Sequence, residues 1–172
     1  MRSIPTGLAV LAVTLAAAIA APADRASDGI QTSKELTLAG AKQIAAAGAA
    51  EAKRLDAGGA LAVVDTGGHV LYVERLDGTF PAAATVAIDK ARTAALFRRE
   101  TRVFEEAIRG GRVSLTGVSA LTPLEGGVPI VVSGVVVGAV GVSGAHSSQE
   151  DVGIATVAAA ALAREEDGHA RR

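Results

Sequence analysis

The stretch GVPIVVSGVVVGAVGVSG, residues 127–144, decides the fold. From Val128 to Val137 every residue except Pro129, Ser133 and Gly134 is Val or Ile. An apolar run of that kind, split by a two-residue turn, reads as a β-hairpin whose strands are covered on both faces. The sheet that holds it must therefore lie between other elements. An earlier pair, Ala60 to Asp65 and Val70 to Glu74, flanks Thr66-Gly67-Gly68-His69 and forms a second antiparallel hairpin. Asp77-Gly78 turns the chain out of it.

Helical spacing fills the intervals. Leu36, Leu38, Ala41, Ile44, Ala45, Ala49, Ala52 and Leu55 share one face, Thr37 stands at the N-cap position, and Gly58-Gly59 stops the run. Pro81 opens an Ala-rich helix ending near Arg98, with Ala84, Ala87, Ile88, Ala91, Ala95 and Leu96 on the inner face. Thr101 is placed to cap a shorter helix that Gly110-Gly111 ends. Ser147-Ser148 with Glu150-Asp151 start a closing helix, where hydroxyls accept backbone N–H bonds and carboxylates complement the positive end of the dipole. Gly117 to Leu121 reads as a weak strand or a loop, and counted as a strand it is the fifth. These elements predict an α+β domain with a profilin-like order: a five-stranded antiparallel sheet flanked by helices in α/β/α layers.

The chain has 172 residues. Arg2 precedes an uncharged run from Ile4 that ends in Ala18-Ile19-Ala20, so residues 1–20 read as a secretory signal peptide. Residues 21–34 read as a flexible leader, 35–166 as one domain, and 167–172 as a polar tail. The expected destination is secreted or periplasmic, with no membrane span in the mature chain. The net charge is −1 and the sequence contains no cysteine. Near-neutral charge gives no field to draw nucleic acid. Lack of thiols removes disulfides, thiolate chemistry and Cys-rich zinc sites.

Other familiar chemistries find little support. Gly138, Gly141 and Gly144 do not have the spacing of a phosphate loop, and no Gly-Lys-Ser/Thr follows them. They suit close packing and a tight strand exit. Ser143 stands in Gly-Val-Ser-Gly rather than Gly-x-Ser-x-Gly, with no assignable His-Asp pair. Asp65 and Asp77 occupy turn edges, where carboxylates accept backbone hydrogen bonds. Lys90, Arg92, Arg98, Arg99, Arg102, Arg109 and Arg112 form a basic set that could receive carboxylates through bidentate contacts, although a solvated helix face, partly offset by Glu100, Glu105 and Glu106, is the preferred reading.

Five pieces in order carry a family likeness: the Val-Val-Asp-x-x-Gly hairpin at 63–68, Asp77-Gly78, the Lys-Ala-x-Thr-Ala helix at 90–94, Gly126-Gly127-Val128-Pro129, and Gly141-Val142-Ser143-Gly144. Together, over Leu36 to Leu162, they resemble the GlcG/HbpS-like haem-binding family. The resemblance implies a homo-oligomer and, in secreted members, haem as cofactor, slow haem degradation, and signalling or redox sensing through a membrane sensor protein. It also implies that Thr93 belongs to the haem site, with Lys90 of the same motif facing a propionate. The surface Glu-x-x-Glu iron-binding pattern of those members is absent, its nearest match being Glu74 with Asp77.

The residues themselves offer few axial ligands. Haem iron takes His, Cys, Met or Tyr, and beyond the signal segment the chain has His69, His146, His169 and Tyr72. His69 sits at a hairpin turn, His169 in a charged tail, and Tyr72 alternates within a strand. His146, between the Gly144 turn and the last helix, is the sharper candidate. The cofactor-binding set is thus Thr93, Lys90 and His146, with no metal site and no assigned catalytic residue. The alternative is an oligomeric binding or sensory protein for another small metabolite, without catalysis.

Overall fold

The computed structural model describes residues 32–162. Residues 1–20, expected as a signal peptide, most of the expected leader 21–34 and the expected tail 167–172, with His169, lie outside the described residues. In chain order the elements are α1 (Leu38–Arg54), β1 (Ala60–Val64), β2 (Val70–Arg75), α2 (Ala83–Phe97), α3 (Arg102–Arg109), a 3-10 turn (Val113–Gly117), β3 (Gly127–Val132), β4 (Val135–Ser143) and α4 (Ser148–Ala159). All pairings are antiparallel and the strand order is β2-β1-β4-β3.

Among the described residues the sheet has four strands, not the expected five. Residues 117–121 leave the 3-10 turn and close a further turn through Leu121 N–H to Val118 O, 3.0 Å. The free edge of β3 is also a poor template. Gly127 turns both its N–H and its C=O toward Thr101, at 2.9 and 3.0 Å. By alternation Pro129 then faces the same open edge, and it has no N–H to give. Thr101, expected to cap α3, makes no side-chain cap bond because its hydroxyl is committed to this edge.

Other expectations hold. Thr37 accepts from Gly40 N–H at 3.1 Å and Ser147 from Glu150 N–H at 3.2 Å, each satisfying a donor that the first helical turn leaves open. Ser133 (φ 50°) and Gly134 (φ 76°) give the β3–β4 hairpin its two left-handed turn residues, the type I′ geometry that matches strand twist.

The two faces of the sheet are covered differently. Toward α1 and α4, strand residues Leu61, Val63, Val140 and Val142 pack with Ile44 and Ile154, all fully buried. Truncating Leu61 to Ala there costs about 2–5 kcal/mol. Toward α2 the buried cluster is Ala60, Ala62, Val64 and Ala139 against Ala83, Ala87, Ala91, Ala94 and Ala95. Alanine on both sides lets the α2 backbone rest on the strands. A Cβ at Gly141 would overlap the Ala87 carbonyl oxygen, and one at Gly127 would come within 2.6 Å of Thr101 Cγ2. Leu96, assigned to this inner face, is instead about half exposed. The helix turns Lys90 and Thr93 inward.

Candidate functional site

Lys90 and Thr93 lie one turn apart on α2, 3% and 0% exposed. Lys90 Nζ donates to Asp151 Oδ2 at 2.9 Å and to Val142 O at 2.8 Å. Asp151, 6% exposed, accepts Ala145 N–H on its other oxygen at 3.0 Å. The Lys90–Asp151 pair thus joins α2, the end of β4 and the loop that carries His146. Gly126 makes room for it, since a Cβ there would stand 3.0 Å from both Lys90 Nζ and Asp151 Cβ. The sequence marked Asp151 only as a helix-start acid. Its aim into the interior follows from tertiary packing.

Thr93 is sealed. Its hydroxyl donates to Asp89 O at 2.9 Å, with Ala120 O at 3.4 Å, and accepts Thr122 N–H at 2.8 Å. The helix-internal bond is the ordinary habit of a helical threonine. The bond to Thr122 is not local and ties segment 118–124 across α2.

His146 is exposed, its side chain 62% accessible, and Nδ1 lies 3.0 Å from Glu150 Oε2. A carboxylate on one ring nitrogen fixes the ring and leaves Nε2 outward, the usual support of a ligating histidine. His69 has a similar pairing, Nδ1 to Asp65 Oδ2 at 3.1 Å. Asp65 also accepts the N–H groups of Gly67 and His69 at 2.9 and 2.8 Å. Desolvation pushes the Asp65 carboxyl up, but the hydrogen bonds from His69 and Gly67 outweigh it and hold the group below its ordinary value. Tyr72 is half-buried on β2, with its hydroxyl 3.4 Å from Glu74. Among the described residues no group of three His, Cys, Asp or Glu is placed to hold a metal ion.

Two surface grooves, of about 550 and 530 Å³, are lined by residues such as Lys53, Gly58 and Leu76, and by Leu36, Val132 and Leu162. Neither reaches Lys90, Thr93 or His146. Of the three candidates only His146 offers a solvent-accessible nitrogen. Thr93 and Lys90 are satisfied by protein groups.

The basic set is only partly neutralised. Arg102 pairs with Glu100 and Glu106, and Arg109 with Glu105. Arg92 Nε donates to Gly68 O. α3 buries none of its residues, and Phe97 meets Phe104 edge to face, with ring centres 5.1 Å apart. Exposed Leu96, Val103, Val113 and Leu124 belong to the same part of the chain.

Fold and site define a small α+β protein whose buried polar chemistry gathers at the middle of α2, beside a loop that presents one carboxylate-supported histidine. The chain belongs to the HbpS-like family: the model described as haem degrading protein HbpS-like matches residues 36–160. Protein GlcG of Escherichia coli K12 is 50% identical over 103 residues, 60% of this chain and 77% of that protein. A double mutant of Streptomyces reticuli HbpS superposes with a TM-score of 0.72 at 31% identity, over 83% of this chain and 97% of that one. PduOC in complex with haem shares the fold at 23% identity, with a TM-score of 0.67 over 74% of this chain and 95% of that one. Among the described residues no helix is long and apolar enough to cross a membrane.

Proposed function

We propose that this chain is a haem-binding protein that acts outside the cytoplasm as a homo-oligomer. The family match over residues 36–160 carries this reading. Exposed His146, held by Glu150, supplies the available nitrogen. Bound haem supplies a redox-active iron. The chain orients an imidazole with Glu150 and fixes the supporting loop through Asp151. The exposed apolar side chains around α3 suit burial against a second copy. Export rests on the apolar run of residues 4–20, and a sensor partner and haem breakdown rest on the family likeness alone.

Titration of the purified oligomer with haemin tests this. A saturable Soret shift that His146→Ala or Thr93→Ala weakens supports it, and absence of a shift overturns it. Loss of the Soret band on adding peroxide would report degradation.

A second reading, an oligomeric sensor or binding subunit for another metabolite, is favoured by one observation: neither of the two grooves described above reaches Thr93 or His146. Native mass spectrometry of protein from its own host separates the two, because this reading requires an oligomer carrying a non-haem small molecule.

A further inference from the structure

Thr93 is both the residue to which family likeness gives a ligand role and one of the most enclosed side chains in the fold. One segment outside the sheet supplies two of the three hydrogen-bond partners of its hydroxyl, Ala120 O and Thr122 N–H. Between the 3-10 turn ending at Gly117 and β3 beginning at Gly127, residues 118–126 join no strand ladder. Leu121 N–H closes a turn onto Val118 O within the segment itself. At the far end Glu125 N–H donates to Glu105 Oε2 at 2.7 Å and the Glu125 side chain receives Gln149 Nε2 at 3.1 Å. Between these points the polar tie is Thr93, through Thr122 N–H at 2.8 Å and the Ala120 carbonyl at 3.4 Å.

The segment is weakly held in apolar terms as well. Leu121 is its one buried large apolar side chain, whereas Val118 and Leu124 are 39% and 47% exposed and Ser119 and Ala120 are exposed. Few buried contacts and no ladder are the marks of a piece that opens locally below the global unfolding free energy.

We infer that residues 118–124 form a strap latched by the Thr93 hydroxyl, and that the strap must lift before any ligand reaches Thr93. The hydroxyl then exchanges Thr122 N–H for a polar group of the ligand. Thr93 is a positioning residue in the closed form, since it touches only protein. The ligand's identity rests on the haem reading above, whereas the latch rests on geometry alone.

Amide hydrogen exchange on the full chain tests the latch. Thr93→Val keeps shape and removes the hydroxyl, and exchange at Thr122 should rise about three- to tenfold. Thr93→Ser should restore protection, and β1 and β4 amides should be unchanged in both. Equal protection of Thr122 in wild type and Thr93→Val, or acceleration shared by β1 and β4, overturns the latch. Should Thr93→Val not fold, wild type with haemin gives the second measurement. Exchange at Thr122 should quicken as the Soret shift saturates. An unchanged Thr122 in fully loaded protein overturns the strap while haem binding stands. With no Soret shift the haem reading falls, and the strap is judged by Thr93→Val against Thr93→Ser, or by Thr93→Ser against wild type.

Discussion

Lys90 on α2 and Asp151 on α4 meet at 2.9 Å although their helices cover opposite faces of the sheet. The bond passes the end of β4, where Val142 O takes a second ammonium proton. Glycine at 126 and 127 leaves room for the lysine to approach. The pair therefore fastens both helical layers and, through Ala145 N–H, the loop before His146.

Breaking this pair on one side strands a buried charge. Lys90→Met is expected to lower unfolding stability by about 3–5 kcal/mol. The double substitution Lys90→Met with Asp151→Leu should recover most of that loss, because two apolar groups leave no unpaired charge. Urea midpoints at neutral pH check both. A double variant no more stable than Lys90→Met would show that the bond to Ala145, not the ion pair, matters most.

Glycine at 141 is a packing requirement of the alanine-covered face. Gly141→Ala should cost about 1–3 kcal/mol, since a methyl group there meets the α2 backbone and neither layer is a flexible side chain. Gly153→Ala is the contrast: its added methyl meets nothing within 4 Å in α4, and helix propensity should raise stability by about 0.5–1 kcal/mol. Thermal melts of the two variants should move in opposite directions.

Acid should erode the Asp65 turn. The folded carboxyl titrates below its ordinary value of 3.8, so its stabilisation is present above that pH and is lost as pH falls through the folded value. Wild type should therefore exceed Asp65→Asn in melting temperature near neutrality, and the gap should narrow below about pH 4. A gap that is constant from pH 6 to 2 would remove the titration from the explanation.

His146 and Glu150 should act as a unit in haemin binding. Glu150→Gln removes the carboxylate behind Nδ1 and should weaken the Soret titration about tenfold, as loss of an outer partner to a ligating histidine does. His69→Ala, at the other end of a comparable pair, should leave it unchanged. Equal effects at the two histidines would dissolve the assignment.

Much of this architecture was legible along the chain. The Val/Ile hairpin at 128–142, the caps at Thr37 and Ser147, and the Gly67-Gly68 turn all depend on local chemistry, which a linear reading sees. The fifth strand failed because pairing needs a receptive edge as well as a candidate segment. Thr101 and Pro129 close that edge, from positions distant in sequence or facing outward only by register. The inward aim of Lys90 was missed because lysine on a helix is normally solvated, and nothing near it announces a carboxylate 61 residues later.

The order of residues by itself determined the helices, the two hairpins with their antiparallel pairing, and the family, since propensity, capping and hydrophobic period act over a few residues. Folding alone decided which polar groups went inside. Burial of Lys90, Asp151 and Thr93 depends on partners brought from α4, β4 and segment 118–124, and a buried polar group is tolerable only where such partners meet it.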